Sequence, residues 1–152
     1  MKWDALDEEP CPIARSLAVL GDRWTLMIIR DAFFGVRRFE AFQASLRISR
    51  TSLSERLQTL VDARVLERIA YSERPVRYEY RLTRRGKELH DVMLLLARWG
   101  NSIAEAPITE TVHATCGHVL TPVLTCADCG EPVRPRDVRV RRLAQPQTSS
   151  GT

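Results

Sequence analysis

The feature that most constrains this chain is a double change of hydrophobic period. Up to Val61 the apolar residues recur at helical spacing. Between Val65 and Leu82 they alternate, and after Thr83 the helical spacing returns. Pro12 suits a first helical position and Gly21 a helix end, which bounds a short helix over 12–20. Asp22 is a good N-cap for DRWTLMIIRDAF, apolar nearly all round and therefore a buried core helix. A second short helix is expected from Arg37 to Leu46, with Phe39, Phe42 and Leu46 on one side. Ser49 then caps a helix whose Leu53, Leu57, Leu60 and Val61 fall on one stripe. Alternation near 65–71 and 76–82, separated by SERP, predicts a β-hairpin. Thr83 opens one long helix of about twenty residues. Its stripe of Leu89, Val92, Met93, Leu96, Trp99 and Ile103 is too broad for one core alone.

Helix, helix, helix, hairpin, helix has a mechanical meaning. Two helices joined by a short turn place the second in the major groove, and a hairpin beside it grips the flanking backbone. The expected fold is mainly α, an α+β winged helix-turn-helix with a β-hairpin wing and a long C-terminal helix. A plain helical bundle carrying a hairpin is the alternative. Charge favours the first: residues 36–87 carry 13 Lys/Arg against 6 Asp/Glu, whereas residues 1–35 carry 4 against 6. A basic middle third is a footprint for a polyanion, nucleic acid foremost. The helix opened by Ser49 presents Thr51, Ser52, Glu55, Gln58 and Thr59 opposite its apolar stripe, with Arg50 and Arg56 at the borders. Such a face could read base edges or simply be solvated. Arginines in and beside the hairpin, Arg68, Arg74, Arg77 and Arg81, suit phosphates, which supply affinity and position but no sequence choice.

Several short motifs follow one another in this frame: Cys11-Pro12, Gly21-x-Arg23-Trp24-Thr25, Arg38-Phe39, Ile48-Ser49 and Leu53-Ser54-x-Arg56-Leu57. Val65-Leu66-x-Arg68, Val76-x-Tyr78-x-Tyr80-x-Leu82-Thr83 and Gly86 complete them. Through these motifs, residues 11–104 resemble the HxlR family of bacterial winged helix-turn-helix regulators, relatives of the MarR group. The resemblance implies a homodimer held by its N- and C-terminal helices on a near-palindromic operator of double-stranded DNA, more often as a repressor. It makes Ser49, Arg50, Thr51, Ser52 and Glu55 candidates for base-side contacts, and Arg38, Arg56, Arg74 and Arg77 further candidates at the DNA surface. Cys11, at the N-cap of a helix begun by Pro12, sits where the helix dipole favours a thiolate. Some family members sense oxidants or electrophiles at this place, so Cys11 is a candidate redox sensor, with a packed structural cysteine as the alternative.

The resemblance does not require the tail, which is read on its own chemistry. His113-Ala-Thr-Cys116-Gly117-His118 is repeated as Cys126-Ala-Asp-Cys129-Gly130-Glu131: ligand, two spacers, ligand, glycine. Two spacers let both side chains face one ion, and glycine permits the tight turn that follows. The expectation is one structural zinc per chain on His113, Cys116, Cys126 and Cys129, with His118 as alternate to His113. The β-prone VLTPVLT between the repeats suits a short hairpin, as in a zinc ribbon. A thiol–disulfide switch at Cys126–Cys129, or a tail without function, are the alternatives.

Residues 1–106 are thus expected to form the DNA-binding and dimerisation domain, 107–142 the zinc-ribbon-like tail, and 143–152 a disordered end. No apolar run approaches the ~18 residues of a membrane span. The acidic start MKWDALDEEP lacks an apolar segment, so a cytoplasmic protein in a reducing compartment is expected. No catalytic set is apparent; a zinc deaminase would need a glutamate two residues after its histidine, and HAT lacks it. The reading is of a non-enzymatic regulator with a redox or small-molecule effector. A CxxC redox protein and a protein-interaction module are the other classes, the former without a βαβ pattern around Cys126–Cys129.

Overall fold

The computed structural model describes residues 10–107 and 109–141, and the chain divides into two compact units between Ile103 and Ala104. The expected disordered end, 143–152, lies outside the described residues.

The first unit runs α1 (Pro12–Leu20), α2 (Arg23–Phe33), α3 (Phe39–Leu46), α4 (Arg50–Asp62), β1 (Leu66–Glu73), β2 (Val76–Leu82), α5 (Arg84–Lys87) and α6 (His90–Ile103). This is the winged helix-turn-helix order. Its core gathers Ile28 and Ile29 of α2, Phe42 and Leu46 of α3, Leu53, Leu57 and Leu60 of α4, and Ile48, Val65 and Leu66 beside them. Each side chain so buried contributes roughly 1.5–3 kcal/mol of transfer free energy, and together they fix how α3 and α4 cross over α2.

The helix starts follow the capping chemistry. Asp22 accepts from the Trp24 N–H at 2.9 Å and Ser49 from the Ser52 N–H at 3.1 Å. Thr83 accepts from the Gly86 N–H at 3.0 Å and donates to the Arg64 carbonyl at 2.6 Å. Arg47 and Arg64, one before and one after α4, take left-handed backbone at φ 52° and 56°.

One expectation fails in detail. The helix predicted as continuous from Thr83 divides into α5 and α6 around Glu88 and Leu89. At the break the Leu89 N–H reaches back only three residues, to the Gly86 carbonyl at 3.2 Å, and at Gly86, inside α5, a Cβ would lie 2.1 Å from the Val65 carbonyl oxygen. The chain is pressed against the exit of α4 at that point, and glycine is a poor helix former besides. No residue of α6 is buried; Val92, Leu96, Trp99 and Ile103 keep an apolar stripe open, and Ile13 and Leu17 do the same on α1.

β1 and β2 pair antiparallel from Leu66↔Leu82 to Glu73↔Val76, with an irregularity between Ala70 and Ser72. A two-stranded hairpin is marginal alone, and here its base gains a third partner. Arg38 bridges Glu79, and the Tyr80 N–H donates to the Arg37 carbonyl at 2.8 Å.

In the second unit no residue among those described is buried. Each repeat closes on itself. The His113 N–H reaches the His118 carbonyl at 2.9 Å and the Leu120 N–H the Thr111 carbonyl at 2.7 Å. Thirteen positions on, the Cys126 N–H reaches the Glu131 carbonyl at 2.9 Å and the Val133 N–H the Leu124 carbonyl at 2.8 Å. The expected hairpin between the repeats does not form: VLTPVLT holds no named strand, only the isolated bridges Val112↔Val119 and Thr125↔Pro132. Pro122 in its middle has no N–H to give to a ladder.

Candidate nucleic-acid interface

α4 offers its first turn to solvent. Ser49, Arg50, Thr51 and Glu55 are exposed, whereas Ser52 is half-buried. The two serines are bound to one another, Ser49 Oγ donating to Ser52 Oγ at 2.9 Å while it accepts the Ser52 N–H. They hold the helix start, and Arg50, Thr51 and Glu55 are the exposed members of the set outside that cap. Arg50 lies with its guanidinium 4.8 Å from the centre of the Phe39 ring. That cation–π contact orients a side chain that would otherwise sample many rotamers.

Arg56 departs from the others. It is half-buried, and its Nε stands 3.3 Å from Asp22 Oδ1, ion-pair distance without the alignment of a hydrogen bond. It ties α4 to the cap of α2. On the wing, Arg74 and Arg77 are exposed at and beside the turn, and Arg68 rests 4.4 Å over the Tyr78 ring. Arg38 is the N-cap residue of α3, set 4.8 Å over the Tyr71 ring and 3.8 Å from Glu79 Oε1. Arg81 donates to Glu79 Oε2 through Nη2 at 3.0 Å and Nε at 3.3 Å. The aromatic seats and Glu79 escaped the sequence reading. The available signal was VRYEYR, a single acid between two arginines on an aromatic strand.

The tail assembles its candidate ligands in pairs. His113 Nδ1 and Cys116 Sγ are 3.3 Å apart. At Cys126 the backbone N–H of Cys129, then that of Asp128, then the Cys129 thiol hold the thiol below its ordinary range, against a small burial effect. Gly117 and Gly130 take φ 73° and 74°, left-handed turns that glycine adopts without steric cost. One nitrogen and three sulfurs on such turns suit zinc. Among the described residues, however, no group of three or more His, Cys, Asp or Glu side chains converges on one point, so two pairs are formed and a closed set of four is not. His118 gives its carbonyl to His113. Cys11 is the N-cap residue of α1, half-buried, and its side chain makes no capping hydrogen bond.

The family model described as HxlR-like helix-turn-helix matches residues 19–107, more than half of the chain. The chain belongs to the HxlR-like helix-turn-helix family. Rv3095 of Mycobacterium tuberculosis, an uncharacterized HTH-type transcriptional regulator, is 43% identical over 129 residues, 83% of this chain and 82% of that protein. The crystal structure of PA1607 is 34% identical with a TM-score of 0.81, over 91% of this chain and 99% of that one. Coverage that wide must extend past the HxlR-like unit into the tail. The redox regulator HypR in its reduced form is 28% identical with a TM-score of 0.57, over 60% of this chain and 92% of that one. Among the described residues no helix is long and apolar enough to cross a membrane.

Proposed function

We propose that this HxlR-like protein is a sequence-specific, non-enzymatic transcriptional regulator that binds near-palindromic double-stranded DNA as a homodimer and acts as a repressor. The observation that carries the reading is the exposed first turn of α4, with Arg50 seated on Phe39, flanked by the wing cations Arg74 and Arg77. Arg50, Thr51 and Glu55 meet base edges, and Arg38, Arg74 and Arg77 meet phosphates. The open apolar stripe of α6 supports a second copy as its cover. A gel shift against scrambled competitor at two salt concentrations, with sedimentation of the free protein, tests this. Selective binding that weakens steeply with salt, by a sedimenting dimer, is expected. Failure to bind DNA in reduced, oxidised and metal-loaded forms would sink it.

The paired ligands of the tail support one structural zinc on His113, Cys116, Cys126 and Cys129, with His118 as alternate. The ion would supply the stability that burial does not. Elemental mass spectrometry on protein purified under reducing conditions should find about one zinc per chain. A metal-free chain would favour a second reading, a thiol switch at Cys126–Cys129 or Cys11. The amide-stabilised Cys126 thiol and the likeness to a redox regulator favour it.

A further inference from the structure

We infer that Glu79 is a specificity-determining positioning residue, whose carboxylate takes the place of a DNA phosphate against Arg38 and Arg81. The inference rests on the proposed DNA binding. Glu79 lies on β2 with its side chain only 16% exposed, while Arg38 and Arg81 converge on it with side chains 60% and 47% exposed. Each carboxylate oxygen takes one arginine: Oε1 faces Arg38 at 3.8 Å and Oε2 accepts from Arg81 at 3.0 Å. Tyr71 covers the Arg38 guanidinium from one side.

The anchoring is uneven. Glu79 is held by the wing's own strand pairing and by the backbone bridge to Arg38, so the carboxylate stays where it is. The two guanidiniums are on long, half-solvated stems and can leave. On the arginine side both pairs are half exposed, so solvent screens them, and a phosphate oxygen presents the same geometry to an arginine fork as a carboxylate does. Leaving becomes favourable only when a phosphate is delivered to the root of the wing. That happens when α4 is fully seated in the groove, because Arg38 caps the helix that packs against α4. On DNA of the wrong sequence, where α4 does not seat, Glu79 keeps both cations and the protein binds with fewer phosphate contacts. Glu79 thereby converts two general-purpose cations into conditional ones, widening the gap between right and wrong DNA.

The test uses the full chain and a duplex selected by the wild-type protein from a randomised pool, beside a scrambled version of it. Affinities are measured between about 50 and 200 mM salt. Glu79→Gln should tighten scrambled-duplex binding by about tenfold and steepen its salt dependence by about one to two phosphates. Adding Arg38→Gln to Glu79→Gln should take back about one of them. Scrambled-duplex affinity and salt slope unchanged or reduced in a Glu79→Gln protein with wild-type thermal melting would overturn the inference alone. Should Glu79→Gln disturb the melt, Arg38→Gln with Glu79 intact decides. Loss of about tenfold on the selected duplex, with scrambled binding within about twofold, is expected; an equal fall on both overturns the inference. A wild-type protein that binds neither duplex removes the parent reading together with this one.

Discussion

The two units of this chain reach order by different routes. Between Ile28 and Leu66 the first unit gathers one apolar core, with Thr25 and Asp31 the buried polar residues among those described, and its polar contacts refine what burial has already decided. Between Thr109 and Arg141 nothing described is buried, and the order resides in short backbone rings repeated thirteen residues apart. A core distributes its stability over many side chains and tolerates the loss of any one hydrogen bond. A pair of unburied rings has no such reserve, and on the proposed zinc reading its stability would come from the ion. Composition alone does not say where a fold's stability sits: Val112, Val119, Val123 and Leu124 are as apolar as residues of the core, yet all are exposed.

The contrast can be broken most forcefully from the core. Phe42→Ala should remove about 3–5 kcal/mol from urea unfolding of the first unit and abolish DNA binding, while the zinc proposed for the tail is retained. A simultaneous loss of metal would show that the units are not independent. Next, Cys126→Ser should reduce zinc from about one per chain to a small fraction and erase hydrogen-exchange protection over 113–131. The unfolding free energy of the first unit should move by no more than about 0.5 kcal/mol, and a larger drop would mean that the tail supports the body. The smallest effect sharpens the picture inside the first unit: Ser49→Ala should cost about 1 kcal/mol through the lost cap on Ser52. It should lower affinity for selected and scrambled DNA together, since Ser49 holds the helix start and leaves base reading to its neighbours; a loss confined to selected DNA would make Ser49 a reader of bases.

What was legible in the sequence follows from range. Caps are written within three residues, and Asp22, Ser49 and Thr83 each accept the hydrogen bond that their position predicts. Periodicity is local as well, so α1 and the hairpin fall where the apolar pattern puts them. The close approach of the Val65 carbonyl to Gly86, just before the division of the last helix, was hidden because it comes from twenty-one positions upstream. The same holds at the site. Arg50, Thr51 and Glu55 were visible as an exposed helix face, but the pairing of Arg56 with Asp22 and of Arg38 with Glu79 joins segments far apart in sequence. In the tail the repeated ligand spacing was plain, whereas Pro122 had to be weighed against the β-prone residues around it.

The left-handed residues that bracket α4 carry a consequence for how this protein can change. Glycine would adopt φ 52° or 56° without penalty, and for any other L-residue that backbone costs roughly 1–2 kcal/mol. Both positions are arginine, and both side chains are exposed. Selection for heat resistance would therefore find easy substitutions at Arg47 and Arg64, and the one at Arg47 strips a cation from beside the first turn of α4, the end proposed to meet DNA. A sturdier version of this protein and a tighter-binding one lie in opposite directions from where it stands.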